Sequence, residues 1–405
     1  MWPLLDLEEL TPAATALLRD AMPVIPAAAG SNSSDGVPPD VDALAWLQLW
    51  STKLTRYTHR YPQDLWDLPR CCAILRECIH LTDVDLPNYT SVLEAVTTPA
   101  HRVASITTPC IETDTSFLMA LGRWLESKHA SSLTLEYQHT DHRAAISAAL
   151  APMLAKTTSL KRVILYSSAP GVVAPLVAVA PSFKRLKQLD ISVDEADKAA
   201  LVQFLQRLNS AKLSSLRVVC EEMNLSPLLR VLATFLALTF LELRDGYFVS
   251  NVLPAAGGLF PPTLRHLVLD STRFNADSWR VFAAHVPPTC AMIVSLGDWI
   301  RRGLRQITFQ ESYLGDEKIE ALATALSHAA SPVGVVIDID DTDLSRSTFV
   351  HVDRALATCR GISIALSPLR GLFNPQPPIR YVKHRYEHDG DRVRRIVLES
   401  PALTA

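Results

Sequence analysis

The chain repeats one short pattern along most of its length: an aliphatic residue, two variable residues, an aliphatic, one variable residue and a third aliphatic. The clearest copies are Leu160-x-x-Val163-x-Leu165, Leu186-x-x-Leu189-x-Ile191, Leu213-x-x-Leu216-x-Val218, Leu238-x-x-Leu241-x-Leu243 and Leu264-x-x-Leu267-x-Leu269. A unit this small cannot bury its own apolar face, so each copy must stack on its neighbours. The middle aliphatics mark the register as Val84, Ile106, Leu133, Val163, Leu189, Leu216, Leu241, Leu267, Ile307, Ile337, Ile362 and Ile396. Their mean spacing is about 28 residues. One step, from Leu267 to Ile307, is 40 residues long. A further strand at Met292, Ile293 and Val294 would restore the period but leave too little chain for a helix before Ile307. A collapsed repeat is therefore expected around 290–305.

Between the strand motifs, apolar residues fall at helical spacing, as in Leu201, Phe204, Leu205 and Leu208, or Ile319, Leu322, Ala323 and Leu326. Strand followed by helix, repeated, predicts parallel strands joined by right-handed crossovers. Because a helix is wider than a strand, such a stack should bend into an arc with its strands on the concave side.

Length alone would suggest two or three domains, but a solenoid grows by adding turns and has no globular size limit. A single array over 1–405 is the expectation, with degenerate turns over 1–79, regular repeats over 80–372 and a closing strand or cap over 373–405. Residues 27–40, with Gly30, Ser31, Asn32, Ser33, Ser34, Gly36, Pro38 and Pro39, read as a flexible loop. Helices are expected over 40–50 and 64–78, with Trp46, Trp50 and Trp66 as packing residues. Leu54-x-x-Tyr57 stands one period before Val84, and Leu5-x-Leu7 with the run 13–22 reads as a further half-unit. Either these turns cap the array or a preceding domain is lacking, and the second is preferred. Near the other end, Phe373-Asn374-Pro375-Gln376-Pro377-Pro378 bars any helix. The charged stretch 383–395 reads as a solvated hairpin arm over the last edge, and Val393-x-x-Ile396-x-Leu398 as one last strand.

Hydrophobic residues make up 48% of the chain and charged residues 20%, enough for a continuous core. The net charge of −3 provides no basic field for nucleic acid or an anionic membrane. The seven cysteines, Cys71, Cys72, Cys78, Cys110, Cys220, Cys290 and Cys359, are odd in number and form no C-x-x-C pair. They read as buried free thiols in a reducing compartment. No secretory leader opens the chain, and no apolar run reaches the ~18–20 residues of a membrane span. The expectation is a cytoplasmic or nuclear protein.

Several units go beyond the bare pattern. Ile307-Thr308-Phe309-Gln310-Glu311-Ser312-Tyr313-Leu314-Gly315, followed by Ile319 and 321–326, resembles the ribonuclease-inhibitor-like class of leucine-rich repeat, as does Leu267-Val268-Leu269-Asp270-Ser271-Thr272-Arg273-Phe274 with Trp279 and 282–284. The resemblance covers roughly 80–400, and the period falls near the ~20–29 residues of such repeats. It implies an α/β horseshoe, with parallel strands on the concave face and helices on the convex face. That class usually places Asn or Cys after the strand, where the side chain bonds to the turn. Here Ser168, Gly246, Thr272, Ser312 and Thr342 stand instead, so an irregular curve is expected. Members are mostly binding scaffolds, including intracellular receptors and the substrate-selecting arms of F-box ubiquitin-ligase adaptors, although no F-box segment is recognisable in this chain.

The sharpest enzymatic signal is Val335-Val336-Ile337-Asp338-Ile339-Asp340-Asp341-Thr342, which resembles the first motif of haloacid-dehalogenase phosphatases. That reading makes Asp338 the nucleophile and Asp340 the acid and base, with Mg²⁺ between them. Only 65 residues follow Asp340, too few for the rest of such a site. The segment also fits the repeat register, with Ile337 and Ile339 inward and both aspartates on the opposite face. His139-x-x-His142 and His384-x-x-x-His388 have spacings that suit two zinc ligands on one helical face, but neither has a third ligand. No G-x-S-x-G, P-loop or G-x-G-x-x-G occurs.

The function expected is therefore a non-catalytic scaffold, without cofactor or metal, that binds another protein along its concave strands, as a monomer or within a larger complex. The candidate contact residues are the variable ones beside the inward aliphatics: Arg162, Tyr166, Arg217, Phe240, Glu242, Arg244, His266, Asp270, Gln306, Asp338 and Asp340. Aromatics and arginine dominate interface hot spots, so Tyr166, Arg217, Phe240 and Arg244 are the preferred anchors.

Overall fold

The computed structural model describes residues 43–401 apart from 59–66, 88, 111–114, 138–142, 167–170, 194, 221, 250–259, 262, 276–277, 280–295, 302, 311–313, 343–344, 369–378 and 390–391. The chain divides into two compact units, Met1–Thr140 and Asp141–Ala405.

In the first unit, helices α1 (Ala43–Trp50), α2 (Leu68–Glu77), α3 (Thr90–Val96) and α4 (Thr115–Glu126) alternate with strands β1 (Arg56–Thr58), β2 (Asp83–Asp85), β3 (Ser105–Cys110) and β4 (Ser132–Tyr137). All neighbouring strands are parallel, and the marker aliphatics pair in one row, Tyr57 beside Val84, Val84 beside Ile106 and Ile106 beside Leu133. Alternation sends these side chains to the helix side, where Val84, Ile106 and Leu133 are almost fully buried. Burying each such side chain stabilises the stack by roughly 1.5–3 kcal/mol. Between α3 and α4, the buried His101 bridges Thr98 Oγ1 at 2.7 Å and the Leu75 carbonyl at 3.0 Å.

Helix α2 begins at Leu68, four residues later than expected. Asp67 accepts from the Arg70 amide at 3.0 Å and Pro69 stands in the first turn, so cap and proline together set the start there. Asp67→Ala is expected to lose about 1 kcal/mol of stability in urea unfolding followed by circular dichroism.

The second unit contains α5 (Arg143–Lys156), β5 (Arg162–Tyr166), β6 (Gln188–Val193), α6 (Lys198–Arg207), β7 (Ser215–Cys220), α7 (Ser226–Leu232), β8 (Phe240–Arg244), β9 (Tyr247–Phe248), β10 (His266–Asp270) and β11 (Arg273–Phe274). It continues through α8 (Leu296–Arg301), β12 (Gln306–Gln310), α9 (Asp316–Leu326), β13 (Ala330–Thr342), α10 (Arg346–Ala357), β14 (Arg360–Pro368), β15 (Lys383–Asp389) and β16 (Arg392–Glu399). Strands β5, β6, β7, β8, β10, β12, β13 and β14 lie side by side in that order and are parallel. The row Val163, Leu189, Leu216, Leu241, Leu267, Ile307 and Ile337 is continuous through their registers. Between β5 and β6 the connection uses short 3₁₀ turns at Ala174–Leu176 and Ala180–Ser182, each with a proline in its first turn.

The row ends on Ile364, not on Ile362 as the spacing suggested, because Ile337 pairs with Ile364. Ile362, Ile364 and Leu366 alternate alike and are all buried, so spacing alone does not choose the marker; strand β13 also carries a bulge between Ala330 and Val335, with Gly334 at φ +79°. Ile396 is likewise not a repeat marker. It belongs to β16, which runs antiparallel between β14 and β15 and closes the array with a hairpin. The 40-residue step inserts no strand into the row, since Leu267 pairs directly with Ile307. The described part of that step ends in the short helix α8, and Met292, Ile293 and Val294 lie outside the described residues.

The turn positions are filled in different ways. Thr272 is fully buried, and its hydroxyl lies 3.1 Å from the carbonyls of both Leu243 and Asp270, sharing its proton with them and tying the turn to the strands. Gly246 makes no such bond; a Cβ there would lie 2.6 Å from the Leu225 side chain, so close packing selects glycine. Ser168, Ser312 and the Thr342 side chain lie outside the described residues. Cys71, Cys72, Cys78, Cys220 and Cys359 are all buried free thiols. Burial pushes the Cys78 thiol up to about 12, which makes it a poor nucleophile.

Candidate polar ladder on the open strand face

Alternation places the side chains between the buried aliphatics on the opposite face of the second unit's strands. In the middle row the registers set Asp190 beside Arg217 and Arg217 beside Glu242, while two residues further along the strands Arg244 stands beside Asp270. The side chains join into a ladder. Tyr166 donates to Asp190 at 3.1 Å, Arg217 lies 3.5 Å from Asp190 and 3.1 Å from Glu242, and Arg244 contacts Glu242 at 2.5 Å and Asp270 at 2.8 Å. The ladder thus crosses five strands, β5, β6, β7, β8 and β10.

The acids of the ladder are more buried than its bases. Side-chain exposure is 7% for Asp190, 11% for Glu242 and 10% for Asp270, against 28% for Arg217 and 32% for Arg244. The arginines therefore lie over the carboxylates. Burial raises the Asp190 carboxyl above the usual carboxylate range, while Arg217 and the Tyr166 hydroxyl oppose that rise. Burial, then Asp190, raises Tyr166. Burial works to lower Arg244, but Glu242 and Asp270 outweigh it and hold the guanidinium above its ordinary value. The Arg217–Glu242 contact is off the hydrogen-bond line, and Asp190 Oδ1 is a buried acceptor with capacity to spare.

Of the residues named from sequence, Arg162, Phe240, His266 and Gln306 form the row beside this ladder, linked through Gln188 and Ser215. Arg162 is exposed, and the rings of Phe240 and His266 lie 6.5 Å apart. Asp338 and Asp340 occupy the same face further along and are half-buried. Asp338 pairs with Arg395 at 2.5 Å, and Arg395 lies 3.9 Å from Glu387. Burial raises the Asp338 carboxyl, Arg395 opposes this, and Asp340 adds to it. The chain itself thus supplies the cation for Asp338, and β13 sits in register within the array as the repeat requires.

Asp190 and Arg395 complete the site, and the sequence already places Asp190, with Gln188, on the strand face. Asp190 is legible there, since Asp190, Arg217 and Glu242 stand at the same motif position in consecutive copies with alternating sign. Arg395 is not, because its partner lies 57 residues away. The stretch 383–395 is not merely a solvated arm: its last residue reaches the open face. His384 and His388 lie on strand β15, where residues four apart are about 13 Å apart, not on one face of a helix as their spacing suggested. His139 and His142 lie outside the described residues.

No family model matches the chain, and no curated protein matches it. Among solved structures it is similar to the Rad7 and Elc1 complex from yeast, at 14% identity over 80% of this chain and 72% of that chain, with a TM-score of 0.41. It is also similar to the TLR13–ssRNA13 complex, at 12% identity over 71% of this chain and 43% of that chain, with a TM-score of 0.27. Likeness at this level carries no argument about function, which must come from the chain's own geometry.

Proposed function

We propose that this chain is a non-catalytic leucine-rich-repeat scaffold of the ribonuclease-inhibitor-like class, and that it binds another protein along the open strand face of its second unit. The observation that carries the reading is the polar ladder from Tyr166 to Asp270, flanked by the Phe240–His266 pair. Side chains already tied to one another lose little freedom on docking, which favours binding by a preorganised surface. The mixed signs suit a partner surface of mixed charge rather than a polyanion. The repeat class adds a finer reading, that the partner is a substrate selected for a ubiquitin-ligase adaptor, and that part rests on the sequence resemblance alone.

Site-specific photo-crosslinking tests the placement. A photoreactive residue at His266 or Gln306 is expected to label a common partner, and the same probe at the exposed helical position Arg230 is expected to label none. Phe240→Ala should weaken that partner's binding roughly tenfold, about 1.4 kcal/mol. Equal labelling from Arg230, or none from the strand positions, would overturn the assignment of the face.

A further inference from the structure

We propose that the outer edge of β15 pairs antiparallel with the β15 of a second copy of this chain. The strand is last in the order β14, β16, β15, bonded to β16 on one side and to no other strand among the described residues on the other. An edge of this kind presents a row of backbone donors and acceptors to any strand that fits. The one irregularity of the hairpin falls on β16, since the register passes from Glu387 beside Arg395 to His388 beside Val393. Strand β15 itself stays regular through its seven residues.

The sequence of that edge says which strand fits. Lys383-His384-Arg385-Tyr386-Glu387-His388-Asp389 is a charge palindrome about Tyr386. Antiparallel self-pairing centred on Tyr386 sets Lys383 opposite Asp389 twice, Arg385 opposite Glu387 twice, and Tyr386 opposite itself. Opposite charges facing each other across a strand pair stabilise it, and like charges destabilise it. Centring the pair on Arg385 or Glu387 would instead set that residue against its own copy, so the charges select one register. This register also keeps the open faces of both copies on the same side of the joined strands. Generic strands meet a charged, guarded edge, whereas the chain's own copy meets complementary charges.

Two further observations favour the pairing. Arg385 is 64% exposed, and its contacts with Glu387 and Glu399 are both 3.5 Å long, so it is free to turn outward. The segment leading into β15 is fixed, because the buried Asp353 accepts hydrogen bonds from the amides of Arg380, Tyr381 and Val382. Preorganisation of this kind lowers the entropy lost on association. A single strand pair buries less than a standard interface, so a weak dimer with a dissociation constant on the order of micromolar is expected.

The test uses the full chain in sedimentation velocity across a wide concentration range. The wild type should show a concentration-dependent monomer–dimer equilibrium. Lys383→Glu and Asp389→Lys should each weaken self-association roughly tenfold, since each creates two like-charge pairs. An equimolar mixture of the two variants should dimerise as well as the wild type, because only the mixed dimer restores both opposite-charge pairs. A wild type that stays monomeric throughout, single variants that dimerise unchanged, or a mixture that fails to recover while both variants melt like the wild type would each overturn the proposal. The proposal is independent of the scaffold reading: loss of partner labelling at His266 would leave this equilibrium untouched.

Discussion

Asp353→Ala is expected to destabilise the second unit by about 3–5 kcal/mol. Asp353 is fully buried on helix α10, and its carboxyl group accepts from Arg380 N at 2.6 Å, from Tyr381 N at 3.0 and 3.1 Å, and from Val382 N at 3.0 Å. Hydrogen bonds to a charged acceptor contribute about 1.5–3 kcal/mol each, and three amides lose their acceptor at once. The amides lie in a segment that can swing out to water, which limits the total to the stated range. The measurement is urea unfolding combined with hydrogen exchange. The amides of Arg380, Tyr381 and Val382 should lose protection, and the β15–β16 hairpin should exchange faster than β5 to β8. Asp353→Asn keeps one accepting oxygen and should lose roughly half as much. A deficit under about 1 kcal/mol for the alanine variant would mean that the hairpin is held by its strand pairing with β14 and not by this nest.

The same carboxylate shows where sequence reading stops. The stacking row was legible because it depends on local pattern: one aliphatic per repeat, paired with the next across neighbouring parallel strands. It failed at Ile362 because Ile362, Ile364 and Leu366 alternate alike and are all buried, so the pattern does not choose among them. It failed at Ile396 because an antiparallel strand shows the same alternation as a parallel one, and direction is not written in period two. Which side chains share the open face followed from alternation alone, so Arg217, Glu242, Arg244 and Asp270 were placed correctly relative to the strands. How they pair was not legible. Arg217 and Arg244 read as anchors for a partner, whereas Arg217 lies between acids of its two neighbouring strands and Arg244 between Glu242 of its own strand and Asp270 of the next. Asp353 and Arg395 gave no signal at all, since their partners lie 27 to 29 and 57 residues away.

Arg217→Ala is expected to destabilise the second unit by about 2–4 kcal/mol at neutral pH. Removing one partner of a buried pair costs about 3–5 kcal/mol because the remaining charge is left uncompensated. Arg217 is itself 28% exposed, so solvent screens part of the loss and the lower range applies. Glu242 keeps Arg244 as a partner, but Asp190 keeps only the Tyr166 hydroxyl and the more distant charge of Arg162. The deficit should therefore depend on pH, and its sign follows from Asp190. That carboxyl is already raised by burial, and losing Arg217 raises it further. Where pH is low enough for it to be neutral in both states, the missing guanidinium matters little. As pH rises through the raised native value, the folded chain must carry a buried charge that the unfolded chain carries in water, and stability falls. The gap between Arg217→Ala and wild type should widen steadily from acidic to neutral pH. Adding Asp190→Asn removes the ionisable group, so the double variant should recover roughly half of the neutral-pH loss and lose most of that pH dependence. A deficit that is constant with pH would show that Arg217 acts through packing of its stem and not through its charge, and the ladder would then be a set of surface contacts with no preorganised field to offer a partner.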